Sequence, residues 1–234
     1  MHKAFLFSFL FLNAFASSNL LASTIVNNDI RGISYMEEPN FNLFVRDQKV
    51  SIKGDYSFLE QDSQYIIEKV IASSENKLSQ ILITSLKAKF DKILKILEFE
   101  GSIILNFEKG DTNFSINTEF LKYNLSDAKL TTDQELQGRF NNLKIESSGM
   151  TLDTESKGFY AEFDKGTIEI NNSDSIYKGY AKKIIISSVE SILVLDGKAL
   201  LDQEGLIIKS DLIHYDYLKK KIIKSVNSEI ENRT

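Results

Sequence analysis

Catalysis or ligand binding would have to draw on imidazoles, thiols, paired carboxylates or a glycine-rich phosphate loop, and this chain of 234 residues supplies little of any of them. It contains no cysteine, which excludes disulfide frameworks, thiolate metal sites and thiol nucleophiles. Of its two histidines, His2 lies at the extreme N-terminus. His214 takes a position that Lys122 holds in a sister copy of an internal repeat, an exchange that suits a turn-flanking residue better than a proton shuttle. Asp153, Glu155, Glu162, Asp164 and Glu169 form an acidic stretch that could yield a carboxylate pair for acid–base work. Alternating acids of this kind read instead as the solvated face of a strand. No phosphate loop, nucleophile elbow or zinc-binding histidine pair occurs. No catalytic residue, metal site or cofactor is assigned, and a non-enzymatic protein is expected.

The formal charge is -5, and lysines are scattered among acids. The one basic triplet, Lys219, Lys220 and Lys221, reads as a solvated hairpin, so nucleic acid is not expected as a partner. The N-terminus carries a different message. Met1, His2 and Lys3 precede an apolar run from Ala4 to Leu12, followed by Asn13 and small residues, which is the shape of a secretory signal. Ala14-Phe15-Ala16 and Ala22-Ser23 are alternative cleavage points, and an uncleaved anchor reaching Val26 is the other reading. The apolar core is shorter than the ~20 residues needed to span hydrocarbon.

The elements beyond it are strands. Pro39, the only proline, sits with Gly32, Asn40 and Asn42 in a leader. From Phe41 to about Ile223, short runs such as Lys49–Lys53, Ser102–Phe107, Gly166–Ile170, Ile192–Leu195 and Leu206–Lys209 are separated by Gly, Asn, Asp and Ser. This is an antiparallel all-β pattern. Lys109-Gly110-Asp111, Asp196-Gly197 and Glu204-Gly205 place glycine where hairpins need positive φ. Residues 79–97 are ambiguous: Leu82, Leu86, Phe90, Ile93, Leu94 and Leu97 recur at helical spacing, yet Leu86, Ala88 and Phe90 alternate and Asp91-Lys92 suits a turn. Strands are the favoured reading. The expected divisions are a signal or anchor over 1–23, a leader over 24–40, a β domain over 41–226 and a flexible tail over 227–234.

A repeat near thirty residues organises the β domain. Thr118-Glu119-Phe120-Leu121-Lys122-Tyr123-Asn124-Leu125 aligns with Ser210-Asp211-Leu212-Ile213-His214-Tyr215-Asp216-Tyr217, with weaker copies around Ser148–Thr154 and Ala181–Ser187. Taking Phe90, Tyr123, Asp153, Ile186 and Tyr215 as markers, the steps are 33, 30, 33 and 29. Such a unit holds two or three strands and cannot bury its apolar face alone, whereas stacked units share a core. Alternation places Leu121, Tyr123, Leu125, Ile213, Tyr215 and Tyr217 on one face, opposite Lys122, Asn124, His214 and Asp216. That face is either a plain core or an openable trough for acyl chains.

At these residues the sequence resembles the LptA/LptC (OstA-like) family of periplasmic lipopolysaccharide-transport proteins. The matching residues are Ser191–Ala199, Gly205–Asp216 and Lys221-Ile222-Ile223, with a second instance in Phe99–Leu105 and Phe120–Asn124. The resemblance covers roughly Phe90 to Ile223, is strongest at the C-terminal end, and is poor from Phe41 to Leu97. It implies an elongated antiparallel β-jellyroll whose apolar interior takes lipid chains, whose edges pair with other bridge subunits or with itself by β-augmentation, and which carries lipopolysaccharide or a similar amphiphile from inner to outer membrane. Leu121, Tyr123, Leu125, Ile186, Leu193, Leu195, Ile213 and Tyr215 are the lining candidates. The role expected is closer to the soluble LptA-like form than to the anchored LptC-like form, a distinction that rests on the signal segment alone. The alternative is a structural or adhesive exported β-protein without a trough.

Overall fold

A computed structural model describes residues 26–28, 34–46, 48–61, 63–76, 79–172 and 175–232. The signal segment therefore lies outside the described residues. The chain is all-β and antiparallel, as the turn-punctuated pattern predicts. Its N-terminal strands are β1 (Val26–Asn28), β2 (Ser34–Glu37), β3 (Asn40–Val45), β4 (Gln48–Lys53) and β5 (Tyr56–Gln61). The longer strands β6 (Gln64–Glu75), β7 (Ser79–Asp91), β8 (Ile96–Lys109) and β9 (Thr112–Asn124) follow. After them come β10 (Lys129–Thr132), β11 (Leu136–Phe140), β12 (Leu143–Asp153), β13 (Tyr160–Asn172) and β14 (Ser175–Ser187). The chain ends with β15 (Ile192–Gln203), β16 (Leu206–Asp216), β17 (Lys221–Val226) and β18 (Glu229–Asn232). The ambiguous stretch 79–97 is strand, with a four-residue reversal at 92–95.

One sheet contains them all, and a fold line crosses it. Several short strands are halves of one interrupted strand: β4 and β5 both pair with β6, β10 and β11 both pair with β9 and β12, and β17 and β18 both pair with β16. Elsewhere the same line is crossed by bulges, at Thr84/Lys87, Glu100/Ile103, Tyr180/Lys183 and Asp196/Ala199. Bulges bend a strand and reset which residues face inward. In β9 the buried set therefore runs Phe114, Ile116, Thr118 and then Leu121, Tyr123. Both halves of β9 point apolar side chains the same way because the alternation slips by one residue at the fold line, between Thr118 and Leu121, while the extra residue of the bulge lies in β8, where Gly101 and Ser102 face Glu119 alone.

The sheet doubles over at this line into two facing layers, a jellyroll-like arrangement with an apolar interior running unbroken from Phe41 to Tyr215. Reversals at 92–95, 125–128, 154–159, 188–191 and 217–220 lie along the edge of the first layer. Those at 110–111, 141–142 and 204–205, together with Arg46, lie along the edge of the second. One thirty-residue repeat is thus two long strands, each crossing the fold line once. Asn or Asp near the end of four of the five marker segments starts the first-layer reversal: Asp91, Asn124, Asp153 and Asp216 each accept two backbone N–H bonds from the residues two and three positions on. These are Asx turns, and they explain why the repeat ends as it does.

Three expectations are corrected. Gly197 has φ 75 but lies at the β15 bulge, not in a hairpin; Gly110 and Gly205 do sit in reversals. The 24–40 leader contains β1 and β2, and the 227–234 tail contains β18, because β5 offers a hydrogen-bonding edge to β2, β2 in turn to β1, and β16 to β18. Asp216, placed on the solvent face, is buried, since its carboxylate turns back onto the reversal it starts.

Candidate functional site

The eight lining candidates all lie in the first layer and face inward, each between 0 and 3% exposed. They fall into two groups. Ile186, Leu193 and Tyr215 are direct cross-strand neighbours, and Leu195 pairs with Ile213 one step along. Leu121 and Tyr123 pair with Phe99 and Leu97 of β8 and, with Leu125, are separated from the first group by β10, β12 and β13. The facing wall, which sequence reasoning did not single out, comes from the second layer and includes Phe41, Ile52, Leu105, Phe107, Phe114 and Phe140. Tyr123 donates to Gln48 across the layers at 3.2 Å, and Ser74 donates to the same Gln48 oxygen at 2.9 Å. Burial pushes the Tyr123 hydroxyl up from its usual pKa. Elsewhere the space between the layers is filled by side chains in contact.

The fold line is held by hydroxyls. Ser147 donates to the Gly149 carbonyl at 2.8 Å and is paired with the Asp164 carbonyl at 2.7 Å. Thr118 bridges Phe120 and Glu135 at 3.4 and 3.0 Å, Ser210 bridges Leu212 and Val226 at 2.8 and 2.5 Å, and Ser85 reaches Lys87 at 3.0 Å. Each satisfies carbonyls that the bulge removes from the ladder, for a net gain of about 0.5–1.5 kcal/mol per bond. Counted back six residues from the turn-starting Asp91, Asn124, Asp153 and Asp216, they share one position, which moves the copy around Ser148–Thr154 by one residue to begin at Ser147; Ala181 takes that position in β14 without a hydroxyl. The first residue of the sequence repeat is therefore a staple of the bend.

Opposite the fold line is the mouth, where the edges of the two layers meet. Four of the first-layer reversals have four residues and end in a left-handed residue, Lys95, Ala128, Ser191 or Lys220, with φ from 54 to 56. The fifth, Thr154–Phe159, has six residues. Its Phe159 is 0% exposed and packs on Phe107, Phe114 and Phe140 of the opposite layer at ring-centroid distances of 5.9, 4.8 and 4.6 Å. Glu155 forms an ion pair with Arg46, and the Ser156 carbonyl accepts from Lys109, both cations belonging to the opposite edge. Burial lowers the Lys109 pKa, with Asp153 and Glu155 opposing that shift. This aromatic latch lies outside the repeat, and its one signal in the sequence is the extra length between Asp153 and Tyr160.

The acidic stretch is dispersed among structural duties. Asp153 starts a turn, Glu155 pairs with Arg46, and Glu169 pairs with Lys144 at 2.9 Å. Glu162 accepts from Tyr160 at 2.7 Å and pairs with Lys183. That carboxylate holds the Tyr160 hydroxyl up at about 12, while Lys183 first and Tyr160 second keep Glu162 below its usual value. A groove of about 750 Å³ runs along the solvent side of the fold line between Ile104 and Tyr180, bordered by Glu119, Glu135, Glu146 and Lys165. None of the eight candidates lines it.

Residues 57–159, from β5 to the end of the six-residue reversal, match a family model described as lipopolysaccharide-assembly, LptC-related. This is the family that the repeat residues resemble. The match extends the likeness into β5–β7, where the residues alone resemble the family poorly, and stops short of the C-terminal strands where they resemble it most. No curated protein matches the chain. Among solved structures, LptH, the LptA homologous periplasmic component of the conserved lipopolysaccharide transport device from Pseudomonas aeruginosa, is similar at 14% identity and a TM-score of 0.38, covering 66% of this chain and 95% of that one.

Proposed function

We propose that this chain is a non-enzymatic periplasmic component of a lipopolysaccharide-transport bridge, exported by its N-terminal segment, which holds the acyl chains of lipopolysaccharide or a similar amphiphile between its two layers. The observation that carries this reading is the continuous inward face from Phe41 to Tyr215 in a chain of which residues 57–159 match a lipopolysaccharide-assembly family. The interior is closed by side-chain contact, so lipid must replace protein surface. That exchange is energetically feasible, because each acyl CH₂ taken from water gains about 0.8 kcal/mol and the aromatic wall it displaces keeps an apolar neighbour. Movement along equivalent apolar rows needs no deep trap, and direction comes from an energy-coupled partner.

The ends of the sheet suit β-augmentation. Ile230 on β18 pairs with inward-facing Ile208 yet is 67% exposed, so among the described residues the last rung presents both a backbone edge without a further strand and an uncovered apolar side chain. Another bridge subunit, or a second copy, would continue the sheet there. Photo-crosslinkers at Leu121 and Tyr215 test the interior: lipid adducts at these sites, and amphiphile in the mass spectrum of the purified full chain, are the expected results. Crosslinkers that capture only protein at both positions favour instead a structural or adhesive exported β-protein, a reading supported by the close packing of the candidates.

A further inference from the structure

Acyl chains that enter the interior from its side, and not from the end of the sheet where another subunit would add, must pass the mouth, because covalent strand crossings and hydroxyl staples close the fold line. We propose that the Thr154–Phe159 segment is a removable strap over that mouth and that its release is the step admitting the chains. The inference rests on the carriage reading above but concerns a device that carriage alone does not require.

Three observations single out this segment. It differs from its four counterparts along the edge in length and in lacking their left-handed last residue. It is fastened to the opposite layer by contacts that separate without breaking a strand pair: the Phe159 ring among Phe107, Phe114 and Phe140, the Glu155–Arg46 ion pair, and the Lys109 bond to the Ser156 carbonyl. Its own base is firm. Thr154 is buried and bonds the Ala128 carbonyl at 2.9 Å, and the Phe159 N–H donates to Ser188 at 2.7 Å. At Gly158 a Cβ would lie 2.6 Å from both Ser188 and Val189, so the segment returns to the sheet through a close approach that only glycine permits. The Phe159 carbonyl also accepts the Ser188 N–H at 2.9 Å, so the backbone stays seated while the ring turns out about its own side-chain bonds and residues 155–157 lift, and the ring can return to the same place.

The chain has no cysteine of its own, so the strap can be locked selectively. In the full chain carrying Arg46→Cys and Glu155→Cys, the two thiols are joined by a bismaleimide with a reducible spacer and the protein is offered dodecanoic acid bearing a terminal diazirine. Before joining, photolysis should label peptides containing Leu121 or Leu193; after joining, that labelling should be lost, and reduction of the spacer should restore it. Phe159→Ala without any crosslink should be labelled faster than the parent. Equal labelling of the joined and open forms overturns the strap and leaves carriage standing. Absence of labelling in both forms overturns carriage and the strap together.

Discussion

The two long borders of the interior are built on opposite principles. At the fold line the long strands pass from one layer to the other, and buried hydroxyls at one repeat position, Ser85, Thr118, Ser147 and Ser210, replace the ladder bonds lost in the bend. At the mouth nothing covalent joins the layers. They are held mainly by one irregular loop with its aromatic cluster and ion pair, to which Tyr217 of the last reversal adds a ring contact with Phe140 at 5.7 Å. A border that repeats every thirty residues spreads its strength evenly and bends everywhere alike, whereas a border secured at one place can be released there. A hinge and a clasp are the mechanical names for these two designs.

The largest effect that separates them should come from Phe159→Ala. Removing a fully buried ring is expected to cost about 3–5 kcal/mol, measured by urea denaturation, and hydrogen exchange should rise at 107–114 and 154–159 while the fold line stays protected. Protection lost equally along Ser85, Thr118 and Ser147 would erase the distinction. Ser147→Ala should cost less, about 1–3 kcal/mol, because it leaves the Gly149 carbonyl short of a donor, while the Asp164 carbonyl keeps the Ser148 hydroxyl at 2.9 Å. Its exchange pattern should be the reverse, with the mouth unaffected.

Acid offers a third contrast. Backbone donation from Leu94, then the Gln64 side chain, holds Asp91 below the usual carboxylate pKa, and donation from Lys219 does the same for Asp216. A depressed folded value stabilises above the unfolded pKa of about 3.9 and is lost as pH falls through the folded one. Both groups start reversals at the mouth edge, and hydroxyl staples do not titrate in this range. Acidification from about pH 5 toward pH 2 should therefore raise exchange at 92–94 and 218–219 first, and Asp91→Asn, which keeps the acceptor oxygen, should abolish the change at 92–94. The smallest effect is expected at the clasp's own ion pair. With side chains 51% and 35% exposed, Arg46 and Glu155 should show a coupling of about 0.2–1 kcal/mol in a double-mutant cycle, fading with salt. A coupling well above that range, insensitive to salt, would mean that charge rather than the Phe159 ring fastens the mouth.

Much of the fold could be read from local signals. Asx residues and glycines mark most reversals, and alternation within Leu121–Leu125 and Ile213–Tyr215 assigns the inward face correctly, because such signals act over a few residues. The candidates all fell in the first layer for the same reason: the strongest repeat lies between the fold line and one edge. The facing wall of Phe107, Phe114 and Phe140 escaped notice because the repeat is strongest in the first-layer halves: in β9 the alternation slips by one residue between Thr118 and Leu121, Phe140 lies on the separate short strand β11, and only Phe107 shares the period of Leu97 and Phe99 along its strand. The function of the repeat's leading hydroxyl was equally hidden, since a serine that staples a bend and a serine in a turn look alike until the partner carbonyl, up to 17 residues away at Thr118, is in place. Phe159 is legible only from the contacts it makes across the mouth.

Strands β6 to β16 each lie beside their neighbours in sequence, so every loop that must be closed to add one of them is short. Such wiring lowers the entropic barrier that slows most β-rich chains, and a polypeptide arriving N-terminus first could zip up hairpin by hairpin while the remainder is still being delivered. Contacts between the layers reach further along the chain, as from Gln48 to Tyr123 and from Arg46 to Glu155. A flat ribbon should therefore form early and close upon itself late, and the unclosed ribbon would be the species in most need of a chaperone.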